Sequence, residues 1–177
     1  MFIDLLRSRR SIRQYQDKPV EVEKIDLLIE AALRSFSSRN TQPWEFVVVT
    51  DPDLISRLAK ARPSGSTFLA NAKLAFVICA DTSKTDVWVE DASIAATILH
   101  LTASDIGLGS CWAQIRLRDH DSGTSAGAYV AGLLDLREGL EVESIIGMGY
   151  PAETKPPHPS DALRFDKISR EKYGQKT

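Results

Sequence analysis

Residues 74 to 80 read LAFVICA, seven apolar side chains in succession between Lys73 and Asp81. A run of that length, rich in β-branched and aromatic residues, predicts a buried strand over 73–81, and the rest of the chain has to supply its cover. Two further segments read the same way. WEFVVVT (44–50) ends at Asp51-Pro52, a helix start with Asp as cap and Pro at the first helical position, and EVESIIGMGYP (141–151) alternates, turns apolar and stops at Gly149-Tyr150-Pro151. A short strand is expected in and after GLGSCW (107–112). Between these lie segments of helical period: a short helix around Phe2, Leu5 and Leu6; residues 20–35, with Val22, Ile25, Leu28, Ile29, Ala32 and Leu33 on one side; and residues 128–136. Residues 87–106 are apolar on nearly every side, which predicts a central helix covered by protein and ended by Gly107. Strands and helices are interspersed without regular βαβ units, so the fold class is α+β rather than a doubly wound sheet.

The chain has 177 residues and a formal net charge of −2, which suits one domain over 1–177, with a proline-rich, weakly patterned tail from about 152 to 177. No apolar run is long enough to span a bilayer, and in MFIDLLRSRR the charges follow the apolar residues, the reverse of a signal peptide; a cytoplasmic protein without a membrane partner is expected. Cys79 and Cys111 read as small buried hydrophobes. GMGYPA (147–152) formally matches a dinucleotide fingerprint, but YPAETKPPHP cannot continue as the helix that fingerprint needs. No motif of metal or serine hydrolysis is present, and the three histidines stand far apart in sequence.

RRSIRQY (9–15) concentrates fixed positive charge in a mildly acidic chain. Arg7, Arg9 and Arg10 at the end of the first helix could simply complement its dipole and point into water. A nucleic-acid surface would want a basic face over the whole domain, and the sequence pI near 5.9 opposes it. The third use is the phosphate of a small ligand, which guanidinium forks bind bidentately, with Ser11 adding a hydroxyl. SFSSRNTQPWEF (35–46) then matters, because Ser37, Ser38, Asn40 and Gln42 offer neutral hydrogen-bonding groups and Trp44 an aromatic wall or a core residue. A phosphate site, an amide and hydroxyl edge and an apolar surface together suit a flat heteroaromatic mononucleotide.

RRSIRQY, SSRNTQPWEF, GLGSCW, IIGMGYPAETKPP and the tail LRFDKISREKYG resemble, in order and spacing, the nitroreductase family of FMN-dependent oxidoreductases over essentially the full length. The resemblance implies an α+β fold with a mostly antiparallel sheet flanked by helices, and a homodimer with FMN at the interface and tails extending onto the partner. By motif, Arg9, Arg10, Ser11 and Arg13 would hold the phosphate and flavin edge. Ser37, Ser38 and Asn40 would reach the FMN of the other subunit, and Gln42, in the same motif, is a further cofactor-binding candidate. Gln114 and Ile115 would offer a backbone N–H to the flavin, and a basic tail residue, Lys155 or its rival Arg164, would complete the phosphate site. NAD(P)H would be the co-substrate and a nitroaromatic, quinone or other small molecule the acceptor, with ping-pong kinetics and no catalytic side chain. A flavin-binding module without turnover, or another reaction of the fold such as reductive dehalogenation, flavin destruction or azoline oxidation, is the alternative. Phe36, Arg39 and Ser169 depart from the pattern.

Overall fold

Four strands form the centre of the molecule: β1 (Trp44–Val49), β2 (Leu74–Asp81), β3 (Gly109–Gln114) and β4 (Leu140–Gly149), in the order β1-β2-β4-β3. The computed structural model describes residues 1–120 and 123–175. Every pairing is antiparallel, with Val47 opposite Val77, Val77 opposite Ile145 and Ala113 opposite Ile145. β2 is the apolar run, and all eight of its residues are buried. It is interior and covered on both faces, so its sequence has no polar alternation to show.

Side chains alternate across β2 and divide the core in two. Ala75, Val77 and Cys79 pack with Ile145 and with Ile55 and Leu58 of α3 (Pro52–Leu58). Leu74, Phe76 and Ile78 pack with Ile146, Met148 and the Ala92, Ala96 and Leu99 face of α4 (Trp88–Asp105). The Asp51 carboxylate accepts the Leu54 N–H at 2.7 Å, the cap expected for α3 and worth about 1 kcal/mol. Gly107 ends α4 with φ +81, the left-handed conformation that glycine adopts without strain. α5 (Ala126–Leu133) starts two residues earlier than its apolar pattern suggests, because Ser125 caps it by accepting the Ala128 N–H at 3.0 Å.

Three departures from the sequence expectation share one cause. α2 (Val22–Leu33) buries Leu28 and Ala32, but its end residues Val22 and Leu33 are exposed. α4 is not covered on nearly every side: Ala92, Ala95, Ala96, Leu99 and Ala103 are buried, whereas Ile94, Ile98 and Leu101 are only half-buried. α1 (Phe2–Ser8) has no buried residue, and Leu163, Phe165 and Ile168 of the tail are exposed. The apolar periodicity of these segments exceeds the cover that this chain's own packing provides. Among the described residues no helix is long and apolar enough to cross a membrane. Cys79 and Cys111 are free and buried, and burial pushes the Cys79 thiol up to about 12, so it behaves as the small hydrophobe its sequence context predicts.

Candidate functional site

The RRSIRQY segment is pinned before its arginines are aimed. Ile12 and Tyr15 are buried, Ile12 N donates to Ser110 O at 3.0 Å, and Gln16 N donates to Tyr150 O at 2.8 Å. The Tyr15 hydroxyl lies 2.6 Å from Ile12 O and 3.0 Å from Gly147 O. This crossing over the sheet end needs Gly109, where a Cβ would lie 2.8 Å from the Ile12 side chain. Burying Ile12 stabilises by about 1.5–3 kcal/mol, an anchor for a segment whose like charges repel.

The start of the tail folds back over this segment. Ala152 N donates to Gln14 O at 2.9 Å, and Arg10 donates to Pro156 O. Lys155 Nζ donates to Ser11 O at 2.9 Å and pairs with Glu153 at 3.0 Å. A cavity of about 300 Å³ results, with Arg9, Arg10, Ser110, Glu153, Thr154 and Lys155 in its walls. Arg7, paired with Asp4 at 3.0 Å and exposed, is the helix-end charge of the bland account. Arg9 and Arg10 are half-buried, and among the described residues neither is ion-paired with a carboxylate. Two unpaired guanidiniums and an ammonium converging on one cavity fit a phosphate dianion and fit no cation. Ser11 and Arg13 flank the cavity without lining it. Ser11 contributes its carbonyl to Lys155, and the Arg13 side chain is exposed.

β3 is an edge strand, and its open edge continues from this cavity. Ser110 O accepts Ile12 N and Gln114 O accepts Arg62 Nη1 at 3.0 Å, so both residues turn their peptide groups away from β4. In an antiparallel strand the N–H of Gln114 shares that outward direction. Ile115 does the opposite. It is fully buried and its N–H donates to Glu143 O at 3.1 Å, so the expectation that it offers an N–H is corrected: the sheet has already taken that donor. Ser110 and Gln114 lie about 13 Å apart along the strand. Beneath this edge His100 Nδ1 lies 2.7 Å from Ser110 Oγ, and its ring stacks on Trp112. Burial, then the Arg9 charge, pushes its pKa down to about 4.

The serine loop is elsewhere. Ser37, Ser38, Asn40 and Gln42 form a turn ahead of β1, held by Ser38 N donating to Asp91 Oδ1 at 2.8 Å, by Gln42 N donating to Ser37 Oγ at 2.9 Å, and by Gln42 Nε2 donating to Asn40 Oδ1 at 3.2 Å. Asp91 lies in the first turns of α4 and Ser104, a cavity residue, near its last, so about 20 Å of helix separates this loop from the arginines. Trp44 is buried, a core residue. Arg164 is locked to Asp166 by two hydrogen bonds of 2.7 and 2.6 Å in the exposed tail, outside the cavity, whereas Lys155 is inside it.

The family model of the nitroreductases matches residues 6–64. A protein of Archaeoglobus fulgidus with the provisional name NADH dehydrogenase/NAD(P)H nitroreductase is 34% identical, over 97% of this chain and 98% of its own length. A second, of the same provisional name, from Methanothermobacter thermautotrophicus is 33% identical over 97% of this chain and 87% of its own. The chain belongs to the nitroreductase family. The solved FMN-dependent nitroreductase from Clostridium difficile R20291 superposes with a TM-score of 0.95 at 43% identity, covering 97% of this chain and 99% of that one.

Three residues of the candidate site are not singled out by sequence patterning. Arg62 sits in a proline- and glycine-containing loop, RPSGS, and is brought to the β3 edge only by tertiary packing. Glu153 looks like one more tail charge, and His100 like a core histidine. The motif YPAETK just after β4, read as a return of the chain to the arginine segment, is the one available hint for Glu153.

Proposed function

We propose that this protein is an FMN-dependent oxidoreductase in which NAD(P)H is the hydride donor and a nitroaromatic, a quinone or another small oxidised molecule the acceptor. The observation that carries this reading is the cavity whose walls hold Arg9, Arg10 and Lys155, with neither guanidinium paired to a carboxylate among the described residues. The printed name of its 43%-identical structural relative, an FMN-dependent nitroreductase, supports it. FMN, when bound, supplies the two-electron chemistry between donor and acceptor. This chain's residues do the rest. Arg9, Arg10 and Lys155 hold the phosphate, with Arg13 and Ser11 at its margin, and Arg164 is left to the tail. The outward Gln114 N–H and the Arg62 guanidinium on the β3 edge would supply a hydrogen-bond donor and a cation to the flavin, groups that favour a reduced, negatively charged cofactor.

The loop of Ser37, Ser38, Asn40 and Gln42 is about 20 Å from the arginines of its own chain, so we assign it to the site of a second copy. A two-fold dimer accomplishes this twice, and it also covers the half-buried stripe of α4 and the exposed apolar residues of the tail. Donor and acceptor using one open face must alternate there, which gives ping-pong kinetics. The test is the absorption spectrum of the purified protein, followed by identification of what heat releases. FMN in near one-to-one ratio with the chain supports the reading, and a colourless protein that refuses added FMN refutes it.

A further inference from the structure

A carboxylate stands in the wall of the anion cavity, where simple electrostatics does not want one. Glu153 Oε1 accepts the Arg13 N–H at 2.6 Å and the Gln14 N–H at 3.2 Å, and the same oxygen lies 3.0 Å from Lys155 Nζ. We propose that Glu153 is the positioning residue of the phosphate cradle, joining the N-terminal arginine segment to the C-terminal lysine through a single oxygen. The inference rests on the reading of this cavity as a phosphate site.

The geometry gives the role its content. Arg13 and Gln14 present successive N–H groups on the side of the segment that faces the tail, beyond the reach of any strand. Glu153 and the Ala152 N–H on Gln14 O hold Arg13 and Gln14 to the returning chain, 140 residues later in sequence, beside the Gln16 bonds to Tyr150 O and Pro151 O. Lys155 is held from two sides, by Glu153 and by Ser11 O, so its ammonium is fixed rather than swinging on a four-carbon stem. Backbone hydrogen bonding, then Lys155, holds the Glu153 carboxyl below the usual carboxylate range, so it keeps its charge at neutral pH. Within the cavity Arg9 and Arg10 face it as the remaining charged groups.

The two possible roles differ in sign. A like charge beside a phosphate weakens binding, so if Glu153 were only a neighbour its removal would tighten it. If it positions the cradle, removal frees two N–H groups and a lysine, and binding weakens although a negative charge has gone. The experiment measures FMN affinity by fluorescence and inorganic phosphate affinity by calorimetry for wild type, Glu153→Ala and Glu153→Gln, together with amide hydrogen exchange of residues 10–16 in the FMN-free proteins. Glu153→Ala is expected to bind both ligands about tenfold more weakly and to exchange the Arg13 and Gln14 amides faster. Glu153→Gln, which keeps an acceptor but loses the charge, is expected to bind both ligands more weakly by up to about threefold, and if the alanine variant does not fold, tighter binding by the Gln variant with unchanged exchange overturns the proposal. Equal or tighter binding in both variants with unchanged exchange overturns the proposal and leaves the FMN reading intact. A wild type that binds phosphate but not FMN refutes the FMN reading alone, since the phosphate and exchange measurements still decide Glu153. A wild type that binds neither overturns both.

Discussion

Arg7 and Arg9 are two residues apart and do different work, because one ends in water beside Asp4 and the other in a cavity. Replacing Arg9 by Ala is therefore expected to weaken FMN binding by about 1.5–3 kcal/mol, the worth of a hydrogen bond to a charged group, with Arg7→Ala unchanged; titration calorimetry of the two variants checks it. Asp91 is the other residue whose burial sets its role. Its carboxylate is 2% exposed, Oδ1 accepts Ser38 N, and Oδ2 has no hydrogen-bond partner among the described residues. The loop it holds has three non-glycine residues with left-handed backbone, Arg39, Asn40 and Gln42 at φ 50, 55 and 45, a conformation that persists only when its surroundings impose it. Asp91→Ala is expected to destabilise the fold by about 1–3 kcal/mol in urea, and Asp91→Asn by less, since Asn keeps the acceptor.

Between elements, the contact that shapes the site is the crossing of residues 11–16 over the start of β3. Gly109→Ala places a methyl group 2.8 Å from the buried Ile12 side chain, which has to shift to admit it. A loss of about 1–3 kcal/mol is expected, read as a lowered Tm, and an unchanged Tm would show that the crossing is looser than its geometry indicates. The α4–β3 contact carries a pH dependence through His100. Its pKa is pushed down to about 4 in the fold, against about 6.5 in the unfolded chain, so between these values the unfolded state binds more protons. Stability from this group is fully present above about pH 6.5 and is lost as pH falls towards 4. Asp81 and Glu21, depressed to about 2 by their hydrogen bonds, lose their contribution as pH falls from about 5 towards 2, so they overlap the acid end of the His100 window and are common to wild type and variant. Urea midpoints measured from pH 7 to 4 are expected to fall in wild type and to fall less in His100→Gln.

For the whole molecule the proposed dimer is the larger unit of folding. α1 buries nothing in its own chain, α4 leaves Ile94, Ile98 and Leu101 half-covered, and the tail carries Leu163, Phe165 and Ile168 in the open. If a second copy covers these surfaces and completes the flavin site, diluting the protein until it dissociates releases the flavin, and added FMN raises the Tm in a concentration-dependent way. Sedimentation with absorbance at the flavin band measures both species together. A monomer that keeps tight FMN would show that one chain suffices.

The strands, the helix caps and the α+β class were legible in the sequence, because burial on both faces of β2, the Asp51-Pro52 start and the Gly107 stop are decided by a residue and its near neighbours in the chain. The arginine cluster and the serine loop were legible as unusual chemistry, and the resemblance to a family joined them. What remained hidden depended on pairs far apart in sequence. Whether Ile115 has a free N–H is settled by Glu143 on β4, which of two tail cations reaches the cavity is settled by the return of residues 151–156 to the arginine segment, and Arg62 gains a role only by reaching Gln114. Periodicity records which side of an element is apolar, but only packing determines what lies against it. That is why α4 could be read as covered all round while Ile94, Ile98 and Leu101 stay half-buried in its own chain.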